Sequence, residues 1–179
     1  MVVFGSQSIL GSFDETVLPP EASRSLEVDI APFSAFHDGV DPTTIADKLY
    51  VLDVWLGEGS AFEELTGTYV EGVARKTVVL PYGWENRLVK FSVSGGDKED
   101  YGCVGYCLDP IDLCVAKSLA GREKDKEFVG ALVAAKIVTA TEIVGRIDAA
   151  GIDWPAGYIA TSEEAEARAR AWLSSINAG

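Results

Sequence analysis

The chain changes character near residue 108, and that change constrains its fold more than any other feature. Before it, apolar residues come in short runs closed by Gly, Ser or Pro; after it, they recur at helical spacing over long stretches. Val2-Val3-Phe4 is stopped by Gly5-Ser6, which suits a buried strand entering a turn. Ser8 to Gly11 is long enough for one helical turn. Residues 12–25, with Pro19-Pro20, read as a loop. Leu26 to Ile30 alternates, with Leu26, Val28 and Ile30 on one side and Glu27 and Asp29 on the other. Asp41-Pro42 is an N-cap followed by a first-turn proline, and predicts a helix to about Leu56, stopped by Gly57 and Gly59. Thr68 to Val73 and Lys76 to Leu80 predict a strand pair joined through Gly72 to Arg75. Leu88 to Val93 predicts a further strand, closed by Ser94-Gly95-Gly96.

Asp109-Pro110 repeats the cap-plus-proline signal and predicts a helix to about Ala120, where Gly121 breaks it. The charged stretch Arg122-Glu123-Lys124-Asp125 follows. Further helices are expected over about Lys126 to Val138, Thr141 to Ala150 and Ser162 to Ile176, the last rich in Ala, Glu and Arg. This order predicts an α/β (α+β) fold with strands in the front half and helices in the back half. The corresponding division is a lobe at 1–107 and a helical lobe at 108–179 packed on it, as two lobes around a cleft or as one compact domain.

The charge balance is 15 − 28 = −13, which disfavours a general nucleic-acid or anionic-membrane binder. The charge is unevenly placed. Residues 1–65 hold two basic side chains, Arg24 and Lys48, against twelve acidic ones, whereas residues 117–126 hold four basic and two acidic. The front suits a divalent cation and the basic segment suits phosphates; the plain alternative is two solvated surfaces. No apolar run reaches the roughly 18 residues of a membrane span. Met1-Val2-Val3-Phe4-Gly5 lacks a signal-peptide pattern, and Cys103, Cys107 and Cys114 make a disulfide framework unexpected, so the expected location is cytoplasmic.

Three constellations carry chemistry. Gly5-Ser6 after a strand permits close backbone approach to a phosphate, or is an ordinary turn. Glu27 and Asp29, two apart on a strand, share one face and form a platform of hard oxygen ligands, or the wet face of an antiparallel strand. Lys117, on a face shared with Leu113 and Cys114, reaches into a cleft with Arg122, Lys124 and Asp125 nearby, or complements a helix end. Other sites fit poorly. Cys103, Cys107, Cys114 and His37 lack a tight zinc-knuckle spacing. No G-x-S-x-G elbow accompanies His37, the one histidine, and no helix directly follows Ser94-Gly95-Gly96 as a dinucleotide fingerprint requires. Trp55, Trp84, Trp154 and Trp172 are scattered, and read as core or helix packing.

Gly5-Ser6 followed by Arg24-Ser25-Leu26-Glu27-Val28-Asp29-Ile30 resembles the nucleotidyltransferase superfamily signature: an apolar strand, Gly-Gly or Gly-Ser, then a carboxylate–apolar–carboxylate strand. Leu108-Asp109-Pro110-Ile111-Asp112-Leu113 with Lys117, Ala120, Arg122 and Lys124-Asp125 resembles the helical motif of one branch, the abortive-infection nucleotidyltransferase toxins and related proteins. The resemblance covers most of residues 1–138. It implies a mixed sheet in the front half and a nucleoside triphosphate substrate used with Mg²⁺ or Mn²⁺. Glu27 and Asp29 would hold the metal, with Glu71 the nearest to a third carboxylate. Gly5, Ser6, Arg24 and Arg122 would bind the nucleotide, and Glu27, Asp29, Lys117 and Asp125 would form the catalytic set, with Lys117 on phosphate. The acceptor (RNA, protein or a small molecule) is left open. Relatives carry a helix before the first strand where this chain opens directly on it, so a partner chain or a second copy is expected to cover the sheet. The alternative is a non-catalytic member of the same fold acting as a binding or regulatory module in a toxin–antitoxin-like pair.

Overall fold

The computed structural model describes all residues but 37–38, 93–103, 157, 159 and 178–179. His37, Val93, the Ser94-Gly95-Gly96 turn and Cys103 thus lie outside the described residues. The front half runs β1 (Val2–Val3), α1 (Pro20–Ser23), β2 (Glu27–Ala31), α2 (Pro42–Leu56), α3 (Ala61–Thr66), β3 (Tyr69–Gly72), β4 (Leu80–Pro81), β5 (Val89–Ser92) and β6 (Val104–Cys107). The back half runs α4 (Pro110–Ala120), α5 (Glu123–Ala134), α6 (Ala140–Ala150), β7 (Ile152–Asp153) and α7 (Ser162–Asn177). Short 3-10 turns at Ser6–Gly11, Glu15–Val17, Phe33–Phe36, Arg75–Thr77 and Trp84–Arg87 join them.

Five strands form one mixed sheet in the order β3-β2-β1-β6-β5. The central β1 pairs antiparallel with β2 and parallel with β6, while β2 and β3 run parallel, with Asp29 beside Glu71. The predicted pair of Thr68 to Val73 with Lys76 to Leu80 does not form. The 3-10 turn at Arg75–Thr77 separates the two runs, so β3 joins the main sheet. β4 instead pairs antiparallel with β7, tying the front half to the end of the chain. β6, the partner of β5, has no counterpart among the predicted strands, because Gly105 and the Cys103-to-Cys107 stretch break its alternation. Gly105 leaves room for the Phe91 ring, since a β-carbon on it would lie 2.2 Å from Phe91 Cζ and push the ring aside.

Both Asp-Pro signals do what their chemistry dictates. Asp41 accepts from the backbone N–H groups of Thr43 and Thr44, and Asp109 from those of Ile111 and Asp112, with proline leading each helix. Gly121, at φ +66°, closes α4. The next helix begins at Glu123 rather than near Lys126, because the Asp125 carboxylate reaches back to accept from the Arg122 backbone N–H at 3.3 Å, which draws the charged stretch into the first turn.

The core lies where α4 packs against the sheet side and α5, α6 and α7. Leu113, Cys114, Val115 and Leu119 of α4 are fully buried, together with Val2, Ile9, Leu80, Val129, Leu132, Ile143 and Leu173. Phe4, Phe36 and Trp84 cluster with ring centroids 4.7–5.6 Å apart. Trp154 and Trp172 pack against this core, but Trp55 does not: it is 72% exposed on the outer face of α2.

α4 is buried on so many sides that its polar residues need internal partners. The carboxylate of Asp112, fully buried, receives Arg87 Nε at 2.8 Å and the guanidinium of Arg146. Breaking a buried ion pair costs roughly 3–5 kcal/mol, and both arginines keep some access to water, so Asp112→Asn is expected to cost about 2–3 kcal/mol. Urea unfolding measures this as a lower midpoint at unchanged slope.

Candidate functional site

The alternation of β2 turns Glu27 and Asp29 to one face, with Val28 and Ile30 on the other. The parallel register with β3 sets Glu71 next to Asp29 on the same face, and one carboxylate oxygen from each of Glu27, Asp29 and Glu71 lies within 4.8 Å of the others. Two backbone contacts hold this arrangement. Phe4 N–H donates to Asp29 O at 2.9 Å, and a β-carbon on Gly5 would sit 1.7 Å from Asp29 Oδ2. Glycine is therefore required at position 5 so that the carboxylate can lie against the backbone. On the other side, Gly72 N–H donates to Asp53 Oδ1 at 2.9 Å, which fastens β3, and so Glu71, to α2.

Across the cleft, Lys117 projects from α4. Its ammonium is 3.3 Å from Asp125 Oδ1 and 4.5 Å above the Phe128 ring, and the side chain is 10% exposed. Asp125 is fully buried and also receives Arg122 Nε at 2.7 Å and Arg122 Nη2 at 3.2 Å. Lys124 approaches Glu27 at 3.8 Å. Arg24 lines the rim, where it makes an exposed ion pair with Glu127, and Ser6 lies on the same side of the cleft. Gly5, Glu27, Asp29, Glu71, Lys117 and Arg122 line one cavity of about 340 Å³. Ser6, Arg24 and Lys124 line an adjoining one of about 270 Å³, with Glu27, Asp29, Lys117 and Arg122 shared between the two. Asp125 lines neither; it stands behind Lys117 and Arg122 and sets their positions.

The electrostatics are those of a site short of positive charge on the sheet side. Burial and then the Glu27 charge push the Asp29 carboxyl up, against the pull of Lys117, Lys124 and Arg122. Glu71 is pushed up to about 7 by its hydrogen bond with Glu27, by burial, and by the charges of Glu27 and Asp29. Neighbouring carboxylates cannot all ionise without a compensating cation, and a set of three carboxylate oxygens suits a hard divalent one. On the helix side, burial alone would raise Asp125, but the Arg122 hydrogen bond and the Lys117 charge outweigh it and hold the carboxyl below its usual range. Burial pushes the Lys117 ammonium down while Asp125 pulls it back.

Sequence reasoning named Glu71 as the nearest to a third carboxylate, but its pairing with Asp29 depends on a strand register that no local pattern announces. It missed Tyr158, which follows β7 and lines the larger cavity; the only signal is an aromatic residue a few positions after Pro155. Of the three cysteines, Cys107 and Cys114 are buried free thiols, and burial pushes Cys114 up to about 12.

Comparison with protein families gives the class first: nucleotidyltransferase. The matching family is described as "Nucleotidyltransferase of unknown function (DUF6036)"; its model covers residues 1–149, and the chain belongs to it. No curated protein and no solved structure matches the chain. Among the described residues, no helix is long and apolar enough to cross a membrane.

The raised Glu71 carboxyl makes the cation-free protein pH-sensitive in a defined direction. The folded state keeps this proton where the unfolded chain has released it, so its stabilising contribution is complete below 4.5 and is lost as pH rises through about 7. Thermal midpoints in chelator are expected to fall over that window, and Glu71→Gln is expected to flatten the fall.

Proposed function

We propose that this cleft binds a nucleoside triphosphate with Mg²⁺ or Mn²⁺ and transfers its nucleotidyl group to an acceptor hydroxyl. One observation carries the reading: Glu27, Asp29 and Glu71 converge from two neighbouring strands, and Lys117 and Arg122 face the same cavity from the helix side. Family membership supports it independently. The three carboxylates are the ligands offered to the divalent cation. When bound, that cation supplies charge neutralisation and orientation at the α-phosphate. The acceptor oxygen forms a bond to the α-phosphorus, the bond to the bridging oxygen of pyrophosphate breaks, and the hydroxyl proton passes to water. Lys117 and Arg122, held by Asp125, stabilise the negative charge that accumulates on the departing pyrophosphate. The overall charge of −13 favours an acceptor other than a long polynucleotide, whose affinity would rest on many phosphate contacts.

Lys117, Arg122 and Asp125 belong to the segment that resembles the helical motif of the abortive-infection toxin branch, and on that resemblance we read the chain as related to that branch. One support for the non-catalytic alternative was a weak third carboxylate, and the register that brings Glu71 beside Asp29 weighs against it.

Binding to the folded state raises the thermal midpoint by mass action. An NTP is expected to raise it only when Mg²⁺ or Mn²⁺ is present, and Asp29→Asn is expected to abolish the rise while leaving the fold intact. Lys117→Met is expected to weaken nucleotide binding and to reduce any turnover by a factor of roughly 10² or more, the size typical of losing one preorganised charge partner. Equal midpoints with every NTP, with and without the cation, would overturn the reading.

A further inference from the structure

The cleft is chemically divided, and the division tells which part of a nucleotide goes where; the inference rests on the proposed nucleotide reading. On one side of Glu27 and Asp29, the smaller cavity adds Ser6, Arg24, Ser25 and Lys124, with Glu21 and Phe128 at its wall, a mostly polar lining with two cations. On the other side, the larger cavity adds Val78, Ala116 and Ala120 and two aromatic residues, Phe4, which is buried in the core, and Tyr158, which is half-open, a mostly apolar lining. A polyphosphate is matched by the first and a nucleobase by the second.

Tyr158 is held from behind. Its ring meets Trp154 at 5.0 Å between centroids and an interplanar angle of 79°. An edge-to-face pair of this kind leaves at least one face of the tyrosine uncovered by the indole. Trp154 is itself fixed, its indole N–H donating to Ala160 O at 3.1 Å, and Tyr158 N–H donates to Pro155 O at 3.2 Å. The loop leaves β7, which is locked to β4 by the ladder and by the Arg75–Asp153 ion pair. β7, Trp154 and Tyr158 lie beyond residue 149, where the family match ends.

We propose that Tyr158 is the base-binding residue for the donor nucleotide: its face not covered by Trp154 stacks on the nucleobase, with the polyphosphate lying on the Arg24 and Lys124 side. The segment after residue 149 then contributes to the site and does more than pack against it.

The test is isothermal titration of the full chain, in saturating Mg²⁺, with each of the four NTPs and with inorganic tripolyphosphate. Wild type, Tyr158→Phe and Tyr158→Leu are compared. At least one NTP is expected to bind wild type more tightly than tripolyphosphate does. Tyr158→Leu, which keeps apolar bulk against Trp154 but loses the aromatic face, is expected to weaken that NTP about tenfold, the scale of one base–aromatic stack. Tyr158→Phe is expected to retain it within about twofold. Tripolyphosphate is expected to bind all three alike, which also shows that each variant's site is folded. Unchanged NTP affinity in Tyr158→Leu overturns the proposal. So does an equal loss of NTP and tripolyphosphate, or a Tyr158→Phe as weak as Tyr158→Leu, which would assign the effect to packing or to the hydroxyl near Arg122. Wild type that binds tripolyphosphate but no NTP more tightly overturns this inference and leaves the phosphate site standing. Wild type that binds neither overturns the proposed function and this inference with it.

Discussion

Lys117 is a charged group on a helix whose other neighbours are almost entirely apolar, and its charge has to be balanced inside the protein. Asp125, fully buried, does this while also accepting three hydrogen bonds from Arg122, two from its guanidinium and one from its backbone N–H. An isolated ammonium at this depth would be too costly to keep charged, and an isolated carboxylate likewise. The pairing ties α4 to α5, since the two residues belong to different helices on either side of Gly121. It also fixes the direction in which Lys117 and Arg122 face the sheet. Much of the remaining fold holds α4 in place: α5, α6 and α7 around it, β4 beside it, and the Asp112–Arg87–Arg146 cluster at its N-terminal end.

The sheet meets this helix pair with a complementary problem. Three carboxylates share one end of β2 and β3, too close together to be ionised at once without a cation. Excess negative charge on one wall and held cations on the other produce a strong local field in a partly enclosed space. That field is what makes the cleft, rather than the acidic surface in general, the place where a metal–nucleotide complex is matched.

Different parts of this were legible in the chain to different degrees, for physical reasons. The helix starts at Asp41 and Asp109 were readable because capping is local: the donor groups lie two and three residues away. Glu27 and Asp29 were readable as a shared face because strand geometry has a period of two. The start of α5 was misplaced by three residues, since a run of charges hides the fact that one of them, Asp125, turns inward. The pairing of β3 with β2 and of β4 with β7 was not readable. Strand pairing is a long-range choice, and the 3-10 turn at Arg75–Thr77 resembles a hairpin turn at the level of composition. Arg24 was readable as a basic residue next to the acidic strand, but its ion pair with Glu127, 103 positions away at the rim of the smaller cavity, was not.

By itself, the sequence determined the division into a strand-bearing front and a helical back, the caps that start two major helices, the acidic pair on β2, and the family to which the chain belongs. All of these follow from interactions over a few residues or from local pattern. The tertiary structure decided the rest. It brought Glu71 to Asp29, required glycine at position 5 by laying Asp29 against it, put Asp125 behind Lys117, and carried Tyr158 from the far end of the chain to the cleft. Each of these joins residues whose proximity is set by packing between elements. Packing depends on the shape and charge of both partners together, and no window along the chain contains both.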